Sequence, residues 1–104
     1  MTILIPTNSD NRHECIISSI EENFSWAYLT LDDGQIISCE FFERKEDIIE
    51  WIDYVVVIND KEYIWPFIDE NTKVLIVNNE KSIDEIVESF LLEKLSLFST
   101  ISKN

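Results

Sequence analysis

Glycine is almost absent from this chain, because Gly34 is the only one among 104 residues. The phosphate-binding loops of Rossmann and P-loop proteins need several glycines, so that backbone N–H groups can approach the phosphates. Such loops cannot be built here, and this excludes the usual nucleotide-dependent enzymes. Histidine is equally scarce: His13 stands alone, and there is no G-x-S-x-G motif of a serine hydrolase.

Basic residues are also few, eight against 21 acidic ones, which gives a formal net charge of -13. A charge of this sign repels phosphate backbones and anionic lipid surfaces, so neither nucleic acid nor a membrane is an expected partner. The sequence has no apolar run of the ~18–20 residues that a bilayer-spanning helix needs. Met1–Pro6 is apolar but short and has no basic flank, so it is interpreted as a strand and not as a signal peptide. The expected location is the cytoplasm.

Cysteine occurs twice, as Cys15 and Cys39, and no C-x-x-C motif is present. In the cytoplasm both thiols are expected to be reduced. Cys15 lies two residues from His13, but neighbours in a polar loop do not by default form a nucleophile and its base. The protein is therefore expected not to be an enzyme.

One candidate metal site remains, formed by His13, Cys15 and Cys39 as three soft ligands. Three ligands are one short of a closed tetrahedral site, and the alternative interpretation is three independent structural or surface residues. Alternation along the predicted strand 36–42 places Ile37, Cys39 and Phe41 on one face, so Cys39 is expected to point into the core. His13 is expected to face water, and no tight mononuclear site is expected.

What the chain does have is apolar material: 45% of its residues are hydrophobic and 12% are aromatic. That is enough for a packed core, and the length fits one domain, assigned to residues 1–99 with a frayed tail at 100–104. Trp26 and Tyr28 alternate along a predicted strand and are interpreted as core residues. Trp51 is interpreted in the same way, on the apolar stripe of a helix.

The pattern predicts an α/β fold with the order β-β-β-α-β-α-β-α and a mixed five-stranded sheet. Asp33-Gly34 between two apolar runs predicts a hairpin. The continuous run Tyr54–Ile58 predicts a strand covered on both faces. Ser82 and Glu85 form the capping box of the clearest helix. The predicted strands cover residues 2–5, 24–31, 36–42, 54–58 and 73–77, and the predicted helices cover residues 46–53, 64–70 and 82–93.

The order of short motifs along nearly the whole chain resembles the dinitrogenase iron–molybdenum cofactor biosynthesis family, the NifX-like accessory domains. The segments that carry this resemblance are Met1–Pro6, Phe24–Ala27, Gly34–Ile36, Asp53–Ile58, Thr72–Val77 and Ser82–Val87. The resemblance implies a ribonuclease H-like α/β fold. It also implies a non-enzymatic protein that carries an iron–sulfur or iron–molybdenum cluster species.

The chain departs from that family pattern where a cluster would be held. Asn23 stands where a histidine is frequent, Ser25 replaces a glycine, and Asn59-Asp60 replaces the glycines after the central strand. Two hypotheses follow. In the first, the protein is an accessory protein of the cluster-carrier type whose cluster site is degenerate. In the second, it is an acidic protein–protein interaction module that kept the fold, lost metallocluster binding and meets a protein partner through its acidic surface.

Overall fold

The computed structural model describes residues 1–98, which form a six-stranded mixed sheet with one α-helix on each face. The predicted tail, residues 100–104, lies outside the described residues. The strands are β1 (Thr2–Thr7), β2 (Ser25–Asp32), β3 (Gln35–Phe42), β4 (Tyr54–Val57), β5 (Lys73–Ile76) and β6 (Ser96–Leu97), and the α-helices are α1 (Trp65–Asp69) and α2 (Ile83–Leu91).

The strand order across the sheet is β3-β2-β1-β4-β5-β6. β1, β4 and β5 run parallel, whereas β2 and β3 form an antiparallel hairpin beside β1. The α/β class and the mixed sheet are confirmed, but the described sheet has six strands and not five. The additional strand, β6, pairs antiparallel with β5 over two residues, which is too short for a period-2 pattern to be recognised.

The hairpin between β2 and β3 is confirmed. Asp33 and Gly34 both have positive φ, 54° and 76°, and they form a two-residue turn between the paired residues Asp32 and Gln35. Two positive φ values in succession match the right-handed twist of the flanking strands, and glycine adopts this conformation without steric strain.

The central strand is also confirmed, since Val55, Val56 and Val57 are fully buried between β1 and β5. Val56 points to the core on the α2 face of the sheet, whereas Val55 and Val57 point to the core on the α1 face. This alternation explains why the run is apolar throughout, because both faces of the strand are covered.

The two helices begin and end close to where the sequence predicts. The side chain of Ser82 accepts a hydrogen bond from the Glu85 backbone N–H at 3.1 Å, and the Glu85 carboxylate accepts from the Ser82 N–H at 3.1 Å, which confirms the capping box of α2. Pro66 lies in the first turn of α1, where its missing N–H needs no partner, and Asn71 beyond the helix has a φ of 65°.

The predicted helix at residues 46–53 is wrong. Lys45–Asp47 forms a single 3₁₀ turn, and residues 48–53 form neither helix nor strand. Long-range hydrogen bonds hold this segment against the sheet: Asp53 Oδ2 accepts from the Thr2 N–H at 2.9 Å, and the Trp51 carbonyl accepts from the Tyr28 hydroxyl at 2.9 Å. Trp51 is therefore 61% exposed and does not lie in the core, whereas Trp26 and Tyr28 are buried as predicted.

The predicted alternation in β3 is interrupted by a β-bulge. Leu31 pairs with Ile36 and Thr30 pairs with Ser38, so Ile37 is the unpaired extra residue. Beyond the bulge, Cys39 and Phe41 pack against the core on the α2 face, together with Ile36 and not with Ile37. Ile37 is 60% exposed, because an extra residue in one strand reverses the direction of every side chain before it.

Candidate functional site

The three candidate metal ligands lie in different surroundings. His13 is exposed in the loop after β1, where its backbone N–H donates to Asn11 Oδ1 at 3.1 Å. Cys15 is 2% exposed and belongs to the core on the α2 face. Cys39 is half-buried and packs against that same core, as its predicted inward orientation requires. The structure thus brings the two thiols into one apolar region and leaves the imidazole at the surface.

Both thiols are held in the neutral form. Burial raises the pKa of Cys15 and of Cys39, and the positive charge of Arg12 only partly opposes this effect. The charged forms of Cys15 and Glu40 raise the pKa of Cys39 further. A metal ligand or nucleophile must be a thiolate. These surroundings therefore disfavour the reactive form of both cysteines.

An iron–sulfur or iron–molybdenum cluster needs several thiolate or imidazole ligands that converge on one accessible position. Among residues 1–98, no three His, Cys, Asp or Glu side chains lie close enough together to hold a metal ion. Two apolar thiols with raised pKa do not fit a cluster of this kind. The proposed ligand set of His13, Cys15 and Cys39 remains a prediction from the sequence.

The carboxyl ends of the parallel strands are the usual place for a ligand in an open α/β sheet. Asn8, Asn59 and Asn78 follow β1, β4 and β5 in turn, but each is engaged by its own surroundings. Asn8 Oδ1 accepts from the Ile16 N–H at 3.0 Å, and Asn59 Oδ1 accepts from the Lys61 N–H at 2.8 Å. Asn78 Nδ2 donates to the Lys94 carbonyl at 2.8 Å. These amides stabilise loops.

Glu80, at the same end of the sheet, is also a structural residue. Burial raises the pKa of its carboxyl group, but hydrogen bonds from Ser89 Oγ at 2.6 Å and from the Asn78 N–H at 2.8 Å outweigh that effect. The pKa of Glu80 consequently lies below its ordinary value, and the group is ionised and occupied. A general base needs the opposite shift, towards neutral pH.

A large opening lies at the amino ends of the parallel strands, on the α2 face. It has a volume of about 750 Å³. We call it the amino-end groove; its apolar lining includes Met1, Tyr54, Leu75, Phe90, Leu91 and Leu97. Its inner wall is an aromatic pair, because the rings of Tyr54 and Phe90 meet edge to face at 4.9 Å between centroids.

A shallower depression continues the groove between α2 and the β2–β3 hairpin. It is lined by Ile36, Val87 and Leu92 and shares Gly34 and Leu91 with the main opening. This region was not predicted from the sequence. The available signal was Leu92, which is apolar but falls outside the apolar stripe that Ile83, Ile86 and Val87 form on α2.

The comparisons with known proteins find similarity in structure. No protein-family model and no curated protein matches the chain. The solution structure of a Methanococcus jannaschii protein provisionally described as a dinitrogenase superposes with a TM-score of 0.73 at 19% identity, covering 97% of this chain and 95% of that one. A Thermotoga protein provisionally described as a NifB protein of the DUF35 family has a TM-score of 0.70 at 12% identity, covering 99% and 97%.

The crystal structure of the protein PH0822 is similar over the same length, with a TM-score of 0.73 at 14% identity and coverage of 96% and 98%. Identities this low establish the fold alone. The chain therefore has the α/β fold of proteins that are described as associated with dinitrogenase, which confirms at the level of the fold the resemblance seen in the sequence.

None of the described helices is long and apolar enough to cross a membrane.

Proposed function

We propose that this protein is a non-enzymatic accessory protein that acts by binding another protein. The observation that carries this proposal is the amino-end groove, where large apolar side chains are exposed on an otherwise acidic chain. Contiguous exposed apolar surface marks an interaction site more often than it serves folding. The net charge of -13 directs such a site towards a basic partner.

A non-enzymatic role is supported by how the polar groups are used. Asn8, Asn59, Asn78 and Glu80 lie at the end of the sheet where α/β proteins bind ligands, and their side chains are hydrogen-bonded to nearby loops or to α2. Both cysteines have a raised pKa in apolar surroundings. Each of these groups stabilises the fold in a form unsuited to acid–base or nucleophilic chemistry.

The second candidate function is the carriage of an iron–sulfur or iron–molybdenum species, as the resemblance implies. It is favoured by one observation, the placement of Cys15 and Cys39 in the same apolar region. We propose that the cluster site is degenerate, because Cys15 is buried, Cys39 is half-buried in the same apolar region and His13 is exposed at the surface. We also propose a ribonuclease H-like class, which the mixed sheet with a helix on each face supports. A cytoplasmic location is proposed as well, and the two free cysteines support it.

Anaerobic purification followed by metal analysis and an absorption spectrum separates the two functions. The binding module is expected to be free of iron and molybdenum, to show no visible absorption and to form a saturable complex with one protein from the cells that produce it. Stoichiometric iron that is lost in the Cys39→Ser variant would instead establish the carrier function. Failure to form any saturable protein complex would contradict the binding module.

A further inference from the structure

The two edges of the sheet differ in how much backbone they leave unpaired. β6 forms one edge with two residues, whereas β3 forms the other edge with eight, Gln35–Phe42. In the described part of the chain, the backbone of β3 is hydrogen-bonded to β2 alone. A long unpaired edge can accept another strand, and proteins that do not use such an edge shorten, bend or cover it.

The strand register shows which residues of β3 direct their backbone groups outward. The Leu31 N–H donates to the Met1 carbonyl at 2.8 Å, so the backbone of Leu31 faces the β1 side. Because these directions alternate along an antiparallel strand, the backbone of Tyr28 faces β3. Its cross-strand partner Glu40 accordingly faces β2 with its own N–H and C=O.

Cys39 and Phe41, on either side of Glu40, therefore direct one N–H and one C=O each away from the sheet. Pairing with β2 is regular from Ser38 to Phe42, whereas the bulge at Ile37 interrupts the first part of the strand. The side chains of Cys39 and Phe41 pack against the core on the α2 face. The regular half of β3 is thus an open edge, with backbone groups that another extended chain can reach.

The α1 face beside this edge is acidic. Glu40 is exposed and shares this face with Tyr28, which packs in the core on the α1 side. Burial raises the pKa of the Tyr28 hydroxyl, and the negative charges of Glu50, Asp53 and Glu40 raise it further. The segment from Glu40 to Asp53 carries six carboxylates and two basic side chains. The charge of Glu40 is therefore uncompensated by its neighbours.

The basic side chains near this edge are already paired. Arg44 and Lys45, which follow β3, lie 3.9 Å and 3.8 Å from carboxylate oxygens. On the α2 face, Arg12 is paired with Asp84 at 2.7 Å. No described ion pair includes Glu40. An added strand would accordingly meet an apolar surface on the α2 side and a negative charge on the α1 side.

The occupant that fits an open edge is an extended segment, because its main chain bonds the strand while alternate side chains contact the two faces. A second copy of the chain fits poorly. Antiparallel pairing through both Cys39 and Phe41 would set the two Glu40 carboxylates directly opposite each other, and like charges in that position are destabilising. A segment of another protein, with a basic residue opposite Glu40 and apolar residues beside it, satisfies both the backbone and the charge.

We infer that β3 binds an extended basic segment of a partner protein as an added antiparallel strand, an inference that rests on the proposed protein-binding function and gives it a second surface. The apolar residues of the segment lie opposite Cys39 and Phe41 on the α2 face. Its basic residue lies opposite Glu40 on the α1 face.

The test uses the full chain and a synthetic seven-residue peptide, capped at both ends, in which valine and lysine alternate. Such a peptide is about 23 Å long when extended. Fluorescence anisotropy is expected to show saturable 1:1 binding. A peptide with glutamate in place of lysine, and one with the same lysines grouped at one end, are expected to bind at least about tenfold more weakly. Equal binding of the grouped peptide would overturn the inference, because net charge alone would then explain binding.

Two N-methylated peptides test the backbone pairing. In an antiparallel strand opposite Cys39 and Phe41, the valines direct their N–H groups towards β3 and the lysines direct theirs away. Methylation of the valine nitrogens should weaken binding at least about tenfold, whereas methylation of the lysine nitrogens should leave it nearly unchanged. Equal binding of the two methylated peptides would overturn the added strand.

Amide hydrogen exchange locates the peptide on the protein. The N–H groups of Cys39 and Phe41 should exchange more slowly in the complex, whereas that of Glu40, which already faces β2, should change little. Protection centred on Leu91 and Leu97 would instead place the peptide in the amino-end groove. That result would overturn this inference and support the proposed function.

A charge reversal tests the role of Glu40. Glu40→Lys should weaken binding of the lysine peptide about fivefold and strengthen binding of the glutamate peptide. The matched control is Asp69→Lys, the same change of charge at an exposed position of α1, which should alter neither. Circular dichroism verifies that both variants are folded. An unchanged affinity of Glu40→Lys for both peptides would contradict the assigned position of the basic residue.

Failure of the alternating peptide to bind would overturn the inference, and so would a dimer of the chain that protects Cys39 and Phe41. The proposed function is judged separately, by the saturable complex with a cellular protein. If that complex forms without protection of β3, only this inference fails. If no such complex forms, the proposed function itself is contradicted.

Discussion

The two ends of the parallel strands carry different kinds of side chain: polar and hydrogen-bonded at the carboxyl end, apolar and exposed at the amino end. At the carboxyl end, Thr7, Asn8 and Asn78 use their side chains to hold the loops that leave the sheet. At the amino end, Leu91 and Leu97 border an open groove and face water. Polar groups that are hydrogen-bonded in this way stabilise the fold, whereas exposed leucines do little for it. The comparison indicates that the carboxyl end serves stability and that the amino end is free to serve recognition.

The largest expected effect compares two phenylalanines, one inside the core and one in the wall of the groove. Phe67→Ala should lower the free energy of unfolding by about 3–5 kcal/mol, because Phe67 is 2% exposed. Phe90→Ala should cost less than ~3 kcal/mol, because Phe90 is half-buried and the groove already leaves part of its ring without neighbours. Urea denaturation measures both values. Equal losses would mean that the groove is closed in solution.

The next effect concerns a buried hydroxyl group at the carboxyl end. Thr7 is fully buried, and its Oγ1 donates to the Ser9 carbonyl at 2.9 Å and lies 3.2 Å from the Ser25 carbonyl. Thr7→Val should cost about 0.5–1.5 kcal/mol, because it removes the hydrogen bond from this buried hydroxyl group to the Ser9 carbonyl. Thr30→Val, in the same sheet but half-buried, is the control and should be close to neutral. A neutral Thr7→Val would refute the stabilising role of this end.

A smaller effect depends on pH, through Glu80 at the carboxyl end. The pKa of Glu80 is lower in the folded chain than its ordinary value of 4.5, so its stabilising contribution is present above that value. The contribution is lost as the pH falls through the lower, folded pKa. The stability difference between the wild type and Glu80→Gln should therefore shrink in acid. Ser89→Ala, which removes the hydroxyl donor, should weaken this pH dependence. Denaturation curves at several pH values provide the measurement, and a constant difference would contradict the prediction.

The smallest effect is expected at the amino end. Leu92 is 56% exposed beside the groove, so Leu92→Ser should change the free energy of unfolding by no more than about 0.5 kcal/mol. Ile86→Ser in α2 is the contrast, because Ile86 is fully buried. The serine would lose the apolar contacts of isoleucine and would bury a hydroxyl group in an apolar core. Thermal denaturation compares the two variants. A large loss in Leu92→Ser would show that this leucine stabilises the fold.

Sequence reasoning succeeded where a local rule decides the structure. Asp33-Gly34 forms its turn because a two-residue hairpin needs positive φ at both positions. Ser82 and Glu85 begin α2 through hydrogen bonds that span three residues. The candidate metal site, in contrast, depends on contacts between distant parts of the chain. Cys15 and Cys39 are 24 positions apart in the sequence, and only the folding of the loop after β1 against the sheet brings both into one apolar region.

The sequence by itself determined the class of the fold, the hairpin, the central strand and the clearest helix, because each depends on residues that are close together along the chain. The tertiary structure decided the segment from Ile48 to Asp53, where apolar residues at helical spacing are held out of a helix by hydrogen bonds to Thr2 and Tyr28. It also decided the bulge at Ile37 and the amino-end groove. These features depend on contacts between parts of the chain that are distant in sequence, and a local sequence pattern does not show which distant segments come into contact.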